Sequence, residues 1–339
     1  MSHNMLKSIE ICAGAGGMAL GIEQAGFKHL VVVENDAHAH GTLLLNRPSW
    51  NPLLLDVKLF DGRKYRGQVD LFAGGVPCPP FSVAGEQKGA DDERDLFPEA
   101  VRLVQQIDPK AVMLENVKGF LADKFASYRA EITDQLDKLG YKTAYRLINA
   151  SDCGVPQLRP RCILVALKKE YAGAFTWPKS QASPPTVAEA IGDLMLEEGW
   201  PGGTAWLQKA NSIAPTLVGG SKKHGGADLG PTRARQKWAE LGVDGRGIAN
   251  DPPGLGFSVS DKPRLTLQMC ARLQGFPDDW TFAGKKTATY RQIGNALPSP
   301  VSKAVGEAIA RALRVSKKPS PRPVQTSLLG RFDEMHKTV

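Results

Sequence analysis

Along the first half of the chain, short apolar runs alternate with longer stretches whose apolar residues recur at helical spacing. The runs Ser8–Cys12, Leu30–Glu34, Val69–Ala73, Ala111–Glu115, Thr143–Asn149 and Cys162–Leu167 read as buried strands. Between them Gly17–Ala25, Ala37–Leu45, Phe97–Ile107 and Tyr128–Leu139 read as amphipathic helices, with Ile132, Leu136 and Leu139 marking a core-facing stripe in the last. Strand alternating with helix predicts an α/β fold on a doubly wound, mostly parallel, Rossmann-like sheet. After about Tyr171 glycine and proline become dense and periodicity fades until about Pro263, which predicts a loop-rich, separately packed module. Helical spacing returns at Arg264–Gly275 and Val301–Val315, and from Ser316 onward Lys, Pro and Ser predominate, as in a disordered tail. The division expected is residues 1–170 plus 286–315 as one domain, 171–285 as a smaller second one and 316–339 as tail.

Composition narrows the class. The chain has 339 residues, 42% hydrophobic and 23% charged, which suits a globular protein with a sizeable core. No apolar run is long enough to span a bilayer, and Met1 to Lys7 lacks the apolar stretch of a signal peptide. The five cysteines, at 12, 78, 153, 162 and 270, form no Cys-x-x-Cys pair, so neither a disulfide framework nor a structural zinc site is expected. A reducing cytoplasm follows from that usage. The net charge of +8 favours a polyanionic partner modestly.

Two places carry candidate chemistry. The turn Cys12-Ala13-Gly14-Ala15-Gly16-Gly17-Met18-Ala19 follows the first strand, opens the first helix and fits G-x-G-x-x-A. Glycines there let a ligand approach the backbone at a helix N-terminus. Glu34 ends the second strand, where a carboxylate can accept ribose hydroxyls; Asp56, with Val57 beside it, can take a hydrogen bond from an adenine amino group. The turn alone does not separate a nicotinamide dinucleotide from S-adenosylmethionine. The second place is Pro77-Cys78-Pro79-Pro80-Phe81-Ser82, an abrupt exit from the strand Val69–Ala73. Most free cysteines are simply small buried hydrophobes, but Glu115 closes another strand at the same sheet edge. Alternation from Gln157 sends Arg159 and Arg161 to one face. Cysteine, carboxylate and arginine thus converge beside a nucleoside site.

With these residues in place the chain resembles the DNA (cytosine-5)-methyltransferase family. Glu10-Ile11-Cys12-Ala13-Gly14-Ala15-Gly16-Gly17, Pro77-Cys78, Glu115-Asn116-Val117 and Gln157-x-Arg159-x-Arg161 match its blocks in order. Arg272-Leu273-Gln274-Gly275-Phe276-Pro277 and Gln292-Ile293-Gly294-Asn295-Ala296-Leu297-Pro298 follow, so the match runs from about Ser8 to Leu313. Family members often carry Phe where Cys12 stands.

The resemblance implies methyl transfer from S-adenosylmethionine to C5 of cytosine in double-stranded DNA, without a metal, after the base is flipped from the duplex. It makes Cys78 the nucleophile that adds to C6, Glu115 the group on N3 and the exocyclic amine, and Arg161 the contact to O2, with Arg159 in support. Cys12, Ala13, Gly14, Gly16, Gly17, Glu34, Asp56, Val57, Asn295 and Ala296 would form the cofactor site. Ser82, Lys88 and Arg94 fall in what resembles the mobile active-site loop, and Thr216, Lys222, Lys223, Arg233 and Arg235 in the target-recognition part 171–285; all eight are implied DNA contacts. Within this reading the protein is a monomer of a bacterial modification system, cytoplasmic and nucleoid-associated, with a restriction endonuclease as its natural counterpart. Gln325-Thr326-Ser327-Leu328-Leu329 loosely resembles a sliding-clamp docking peptide. The alternatives are a transfer-RNA methylase, disfavoured because its Cys-Phe-Thr signature is absent, and a non-enzymatic DNA-binding regulator, disfavoured because Cys78 and Glu115 are both present.

Overall fold

The computed structural model describes residues 5–77, 95–180, 183–220 and 226–315. In chain order the first part runs β1 (Leu6–Ile11), α1 (Gly17–Gln24), β2 (Phe27–Glu34), α2 (Ala37–Asn46), β3 (Pro52–Leu54), β4 (Leu71–Gly74), α3 (Phe97–Ile107), β5 (Ala111–Val117), α4 (Ala126–Lys138) and β6 (Tyr141–Asn149). It continues with β7 (Gln157–Leu158), β8 (Pro160–Lys168), α5 (Lys169–Ala172), α6 (Val187–Leu196), α7 (Gly203–Lys209) and β9 (Ala214–Pro215). The last elements are α8 (Thr232–Glu240), α9 (Leu267–Leu273), α10 (Lys286–Asn295) and α11 (Ser299–Val315).

Seven strands form one sheet in the order β3-β2-β1-β4-β5-β8-β6, while β7 and β9 pair separately. The neighbours from β3 to β5 are parallel; β8 runs antiparallel to both β5 and β6. All four residues of β4 are buried, as a parallel strand covered on both faces requires. On one face α3 and α4 pack through Phe97, whose ring stacks on Phe120 with centroids 4.9 Å apart. On the other face α1 and α11 meet through Met18, Ile22, Val301, Val305 and Ile309. The predicted sheet class is therefore the observed one, with the predicted strands and helices displaced by a few residues at most.

The segment expected to be loop-rich carries α6, α7 and α8, and α10 was not anticipated at all. The helix α6 starts at a reciprocal Thr186/Glu189 capping box, which replaces free first-turn amides and needs no long periodic run. In α8 only Trp238 is buried, so no apolar stripe marks it in sequence. The three-residue edge strand β3 was also missed. Nor does the segment pack by itself: Trp200, Trp206 and Trp238 share one apolar cluster with Ala15, Leu43 and Trp50 of the first βα units. The Trp280 indole donates to the Ala15 carbonyl at 3.2 Å, tying the later chain to the glycine-rich turn.

The return of α11 depends on the absence of a side chain at Gly21, where a Cβ would collide with Ser302 Oγ and the Ser299 carbonyl. Gly21→Ala is therefore expected to destabilise the fold by about 1–3 kcal/mol, the usual cost of overpacking. Urea denaturation with an unchanged m-value checks it.

Candidate active site

The order of the sheet reverses at β1, which has β2 on one side and β4 on the other, and ligands of such sheets bind at that switch point beyond the strand ends. A cavity of about 480 Å³ lies there. Its wall contains Cys12, Ala13 and Gly14 after β1, Glu34 at the end of β2, Gly75, Val76 and Pro77 after β4, and Glu115 near the end of β5. Because β8 is antiparallel, its beginning reaches the same edge and adds Arg161; Asn295 and Ala296 close the wall from the end of α10. Reversing one strand thus places an arginine among the carboxyl ends of the others.

Glu115 pairs across the ladder with Ile163, and Val117 with Arg161, so Glu115 and Arg161 are diagonal neighbours on one face. Their side chains form an ion pair at 2.9 Å, each 13% exposed. Burial raises the Glu115 carboxyl above its ordinary pKa, and the two guanidiniums of Arg161 and Arg159 offset this only in part. The carboxyl is therefore poised to hold or give up a proton. Asn116 completes the corner: its Nδ2 donates to the Val76 carbonyl at 2.9 Å, fixing the stretch that runs into Pro77. The next residue in sequence, Cys78, lies outside the described residues, as do Ser82, Lys88, Arg94, Lys222, Lys223 and Gln325–Leu329.

On the other side of the cavity the carboxylates gather. Glu34 accepts from the amides of Gly14 at 2.7 Å, Asn35 at 2.9 Å and Asp36 at 2.8 Å. A carboxylate has about four acceptor sites, so taking both hydroxyls of a ribose requires one of these amides to be released. Gly14 has positive φ, and a Cβ on it would meet nothing within 4 Å, so the backbone faces open space there. Glu10 is fully buried and lines the same cavity, and neither carboxyl oxygen accepts a close hydrogen bond, although the Ala19 amide is near enough to favour its charged form. Burial holds its pKa well above the ordinary value, helped by Glu34 and opposed by the Ala19 amide in the first turn of α1. A buried carboxyl so weakly bonded is costly to ionise, and a cationic ligand would offset that cost. S-adenosylmethionine, with a ribose, a sulfonium and an ammonium, fits this set of donors and acceptors. Glu10 was not singled out as a site residue from sequence, although it is the one acidic residue in the run Leu6–Ile11.

Cys12 departs from expectation in backbone rather than position. Its φ of 52° is left-handed, uncommon for a residue with a side chain and characteristic of strained ligand-binding turns. Burial and the carboxylates of Glu34, Asp56 and Glu10 push its thiol up, so it stays protonated. Gly16 and Gly17 do not line the cavity; a Cβ on Gly16 would press on Leu43, Trp50 and Trp280, and one on Gly17 would strike the Leu297 carbonyl. Their lack of a side chain lets the turn pack closely. Asp56 accepts from the Lys58 amide at 2.9 Å and Val57 is buried in the core below, so neither lines the wall. Thr216 gives its hydroxyl proton to the Leu158 carbonyl, and Arg233 and Arg235 lie on α8, away from the cavity wall. Arg159 is fully buried against backbone carbonyls and does not line it either.

A doubly wound sheet with a nucleoside-sized cavity, carboxylates on one side and an ion-paired glutamate with Pro77 on the other, is the arrangement of a group-transfer enzyme of the Rossmann-like class. Residues 6–311 match the family of C-5 cytosine-specific DNA methylases, and the chain belongs to that family. It is 52% identical over 325 residues to the type II methyltransferase M.NaeI of Lentzea aerocolonigenes, covering 95% of this chain and 78% of the relative. It is 53% identical over 311 residues to the type II methyltransferase M.NgoMIV of Neisseria gonorrhoeae, covering 91% and 98%. The fold is also that of Spodoptera frugiperda DNMT2, with a TM-score of 0.63 at 19% identity over 91% of this chain and 99% of that one. The protein is a DNA cytosine-5 methyltransferase, and its family uses S-adenosylmethionine. Among the described residues no helix is long and apolar enough to cross a membrane.

Removing Arg161 leaves the Glu115 carboxyl buried and alone. Arg161→Ala should destabilise by about 3–5 kcal/mol when Glu115 must ionise, and by much less in acid. The sign follows from linkage: the folded-state pKa rises further, so the folded chain binds the extra proton and stability falls as pH climbs past the unfolded value. Denaturation at about pH 5 and about pH 8 tests this, and a loss equal at both would indicate lost packing instead.

Proposed function

We propose that the single cavity joining Glu10, Glu34 and Gly14 to Glu115 and Arg161 seats S-adenosylmethionine on one side and a cytosine, flipped from duplex DNA, on the other. The observation that carries this reading is the continuity of that wall: nucleoside-type acceptors and a poised carboxyl share one space of about 480 Å³. A base inside a duplex is stacked and out of reach, so flipping costs a few kcal/mol and exposes both faces of the ring.

S-adenosylmethionine, when bound, supplies an electrophilic methyl group. The protein's task is to make C5 electron-rich. The Cys78 thiolate adds to C6, and the electron pair of the C5–C6 double bond moves toward C5 while N3 gains a proton. Glu115, whose raised pKa favours its protonated form, gives that proton to N3 and accepts a hydrogen bond from the exocyclic amine. Arg161 holds Glu115 and contacts O2. After C5 is methylated, loss of the C5 proton to water or a nearby base restores the double bond and expels Cys78. The described cysteines are unsuited to nucleophilic duty: burial pushes Cys153 up to about 11 and Cys162 up to about 12, and raises Cys12 and Cys270 as well.

DNA is proposed to lie against residues 171–285, with Ser82, Lys88, Arg94, Thr216, Lys222, Lys223, Arg233 and Arg235 as contacts. Because Thr216 already donates its proton to Leu158, it can serve a base as an acceptor but has no proton left for a phosphate. The type II relatives support a modification enzyme that protects DNA from an endonuclease reading the same site.

Incubation with labelled S-adenosylmethionine and unmethylated DNA, then digestion to nucleosides, should place label in 5-methylcytosine. Cys78→Ala should abolish that label while DNA binding persists; retained methylation would reject Cys78 as nucleophile. Glu10→Gln should weaken cofactor binding about 10- to 100-fold, the worth of one hydrogen bond to a charged group. In the wild-type chain Glu10 gives up its proton on binding a cation, so affinity should rise with pH, and calorimetry should show this slope flattened in Glu10→Gln.

A further inference from the structure

Arg159 sits two residues before Arg161, yet it faces backbone instead of substrate. It is wholly buried, and its Nη1 donates to the Leu217 carbonyl at 2.7 Å. Its Nη2 donates to the carbonyls of Gly294 at 2.7 Å and Ala296 at 3.0 Å. Those two acceptors belong to the last turn and exit of α10, where unpaired carbonyls favour a cation. One guanidinium thus binds three carbonyls from two distant stretches of chain.

A second polar chain runs alongside. Gln157 Oε1 accepts from the Leu217 amide at 2.9 Å, and its Nε2 donates to Gln274 Oε1 at 2.9 Å. Gln274 Nε2 in turn donates to the Ala296 carbonyl at 2.5 Å. Both backbone groups of Leu217 are therefore held by the Gln157–Arg159 stretch, and β7 pairs with β9 just before it. The segment then passes Gly219, which touches α10 so closely that a Cβ on Gly294 would lie 2.5 Å from the Gly219 Cα. Asn295 Nδ2 donates to the Gly220 carbonyl at 3.2 Å, and Asn295 and Ala296 form cavity wall.

We propose that Arg159 is a positioning residue that locks the recognition segment at Leu217–Gly220 to the cavity wall at Asn295–Ala296, so that seating DNA on that segment sets the geometry of the reaction centre. The proposal rests on the methyl-transfer reading of the cavity. Arg159 touches neither reacting atom; it acts through carbonyls. A neutral side chain loses the fork that reaches all three, while lysine keeps the charge and part of the bonding.

The test compares wild type, Arg159→Lys and Arg159→Gln for methyl transfer to DNA, KM for DNA, cofactor Kd and unfolding midpoint. Arg159→Gln should lower kcat about 100-fold, the effect of misplacing a reacting group by about 1 Å, with cofactor Kd little changed. Arg159→Lys should recover part of kcat. Undiminished kcat in folded Arg159→Gln overturns the proposal, as does a fall in kcat that merely follows cofactor affinity and unfolding midpoint with no recovery by lysine. Should Arg159→Gln fail to fold, Gly219→Ala decides, because its methyl would press on Asn295 Oδ1 at 2.6 Å and the Arg291 carbonyl at 2.7 Å, straining the same junction while Arg159 itself is kept. Lower kcat with intact cofactor binding then supports the junction, and unchanged kcat rejects it. Absence of methyl transfer by wild type would reject the reaction itself, and this proposal with it, whereas full activity shared by wild type and variants rejects the positioning role alone.

Discussion

A carboxyl and a guanidinium sunk together at the edge of a sheet form the interaction around which this molecule is arranged. Glu115 and Arg161 are each 13% exposed and 2.9 Å apart. Neither charge is tolerable there without the other. Their meeting requires that β8 run against its neighbours, so that its first residues reach the edge where β1, β2, β4 and β5 end. The single antiparallel strand is thus a feature of the site as much as of the fold. Even paired, Glu115 remains hard to ionise, which suits its proposed place beside a base that must gain a proton.

The opposite side of the cavity shows the complementary situation. Glu10 accepts no close hydrogen bond among the described residues and Glu34 is bound by three backbone amides. Burial is the main cause that raises the Glu10 pKa, and the nearby Glu34 carboxylate adds to it. In the proposed complex the positive charge of the cofactor would relieve this, and its ribose diol would replace an amide on Glu34. The same field suppresses ionisation of the Cys12 thiol, so the strained cysteine of the glycine-rich turn serves shape rather than chemistry.

The later chain finishes what the earlier chain begins. Trp280 bonds to Ala15, Leu297 presses on Gly17 and α11 covers α1, so the nucleotide-type turn is held by residues more than 250 positions away. Buried amides and one buried arginine make that junction specific: Gln157, Arg159 and Gln274 each satisfy backbone groups that would otherwise be stranded. A junction built of hydrogen bonds to backbone tolerates little displacement, because every shift unpairs a buried group.

Sequence by itself determined the alternating α/β order, the parallel sheet and the family, because these follow from local periodicity and from short blocks whose order along the chain is visible. It also brought Glu115, Arg161, Glu34 and Gly14 to one edge, since strand ends and glycine turns are local features. Helices such as α8, with Trp238 as its one buried residue, left no stripe to read. Only tertiary structure decided what Gly16 and Gly17 pack against, that Arg159 faces carbonyls while Arg161 faces Glu115, and that Glu10 is a weakly bonded buried carboxyl in the cavity. Each of these depends on what lies across a gap of many residues. Alternation tells which face a side chain takes, whereas its partner there is set by packing of distant segments, and burial without a close partner has no signature along the chain.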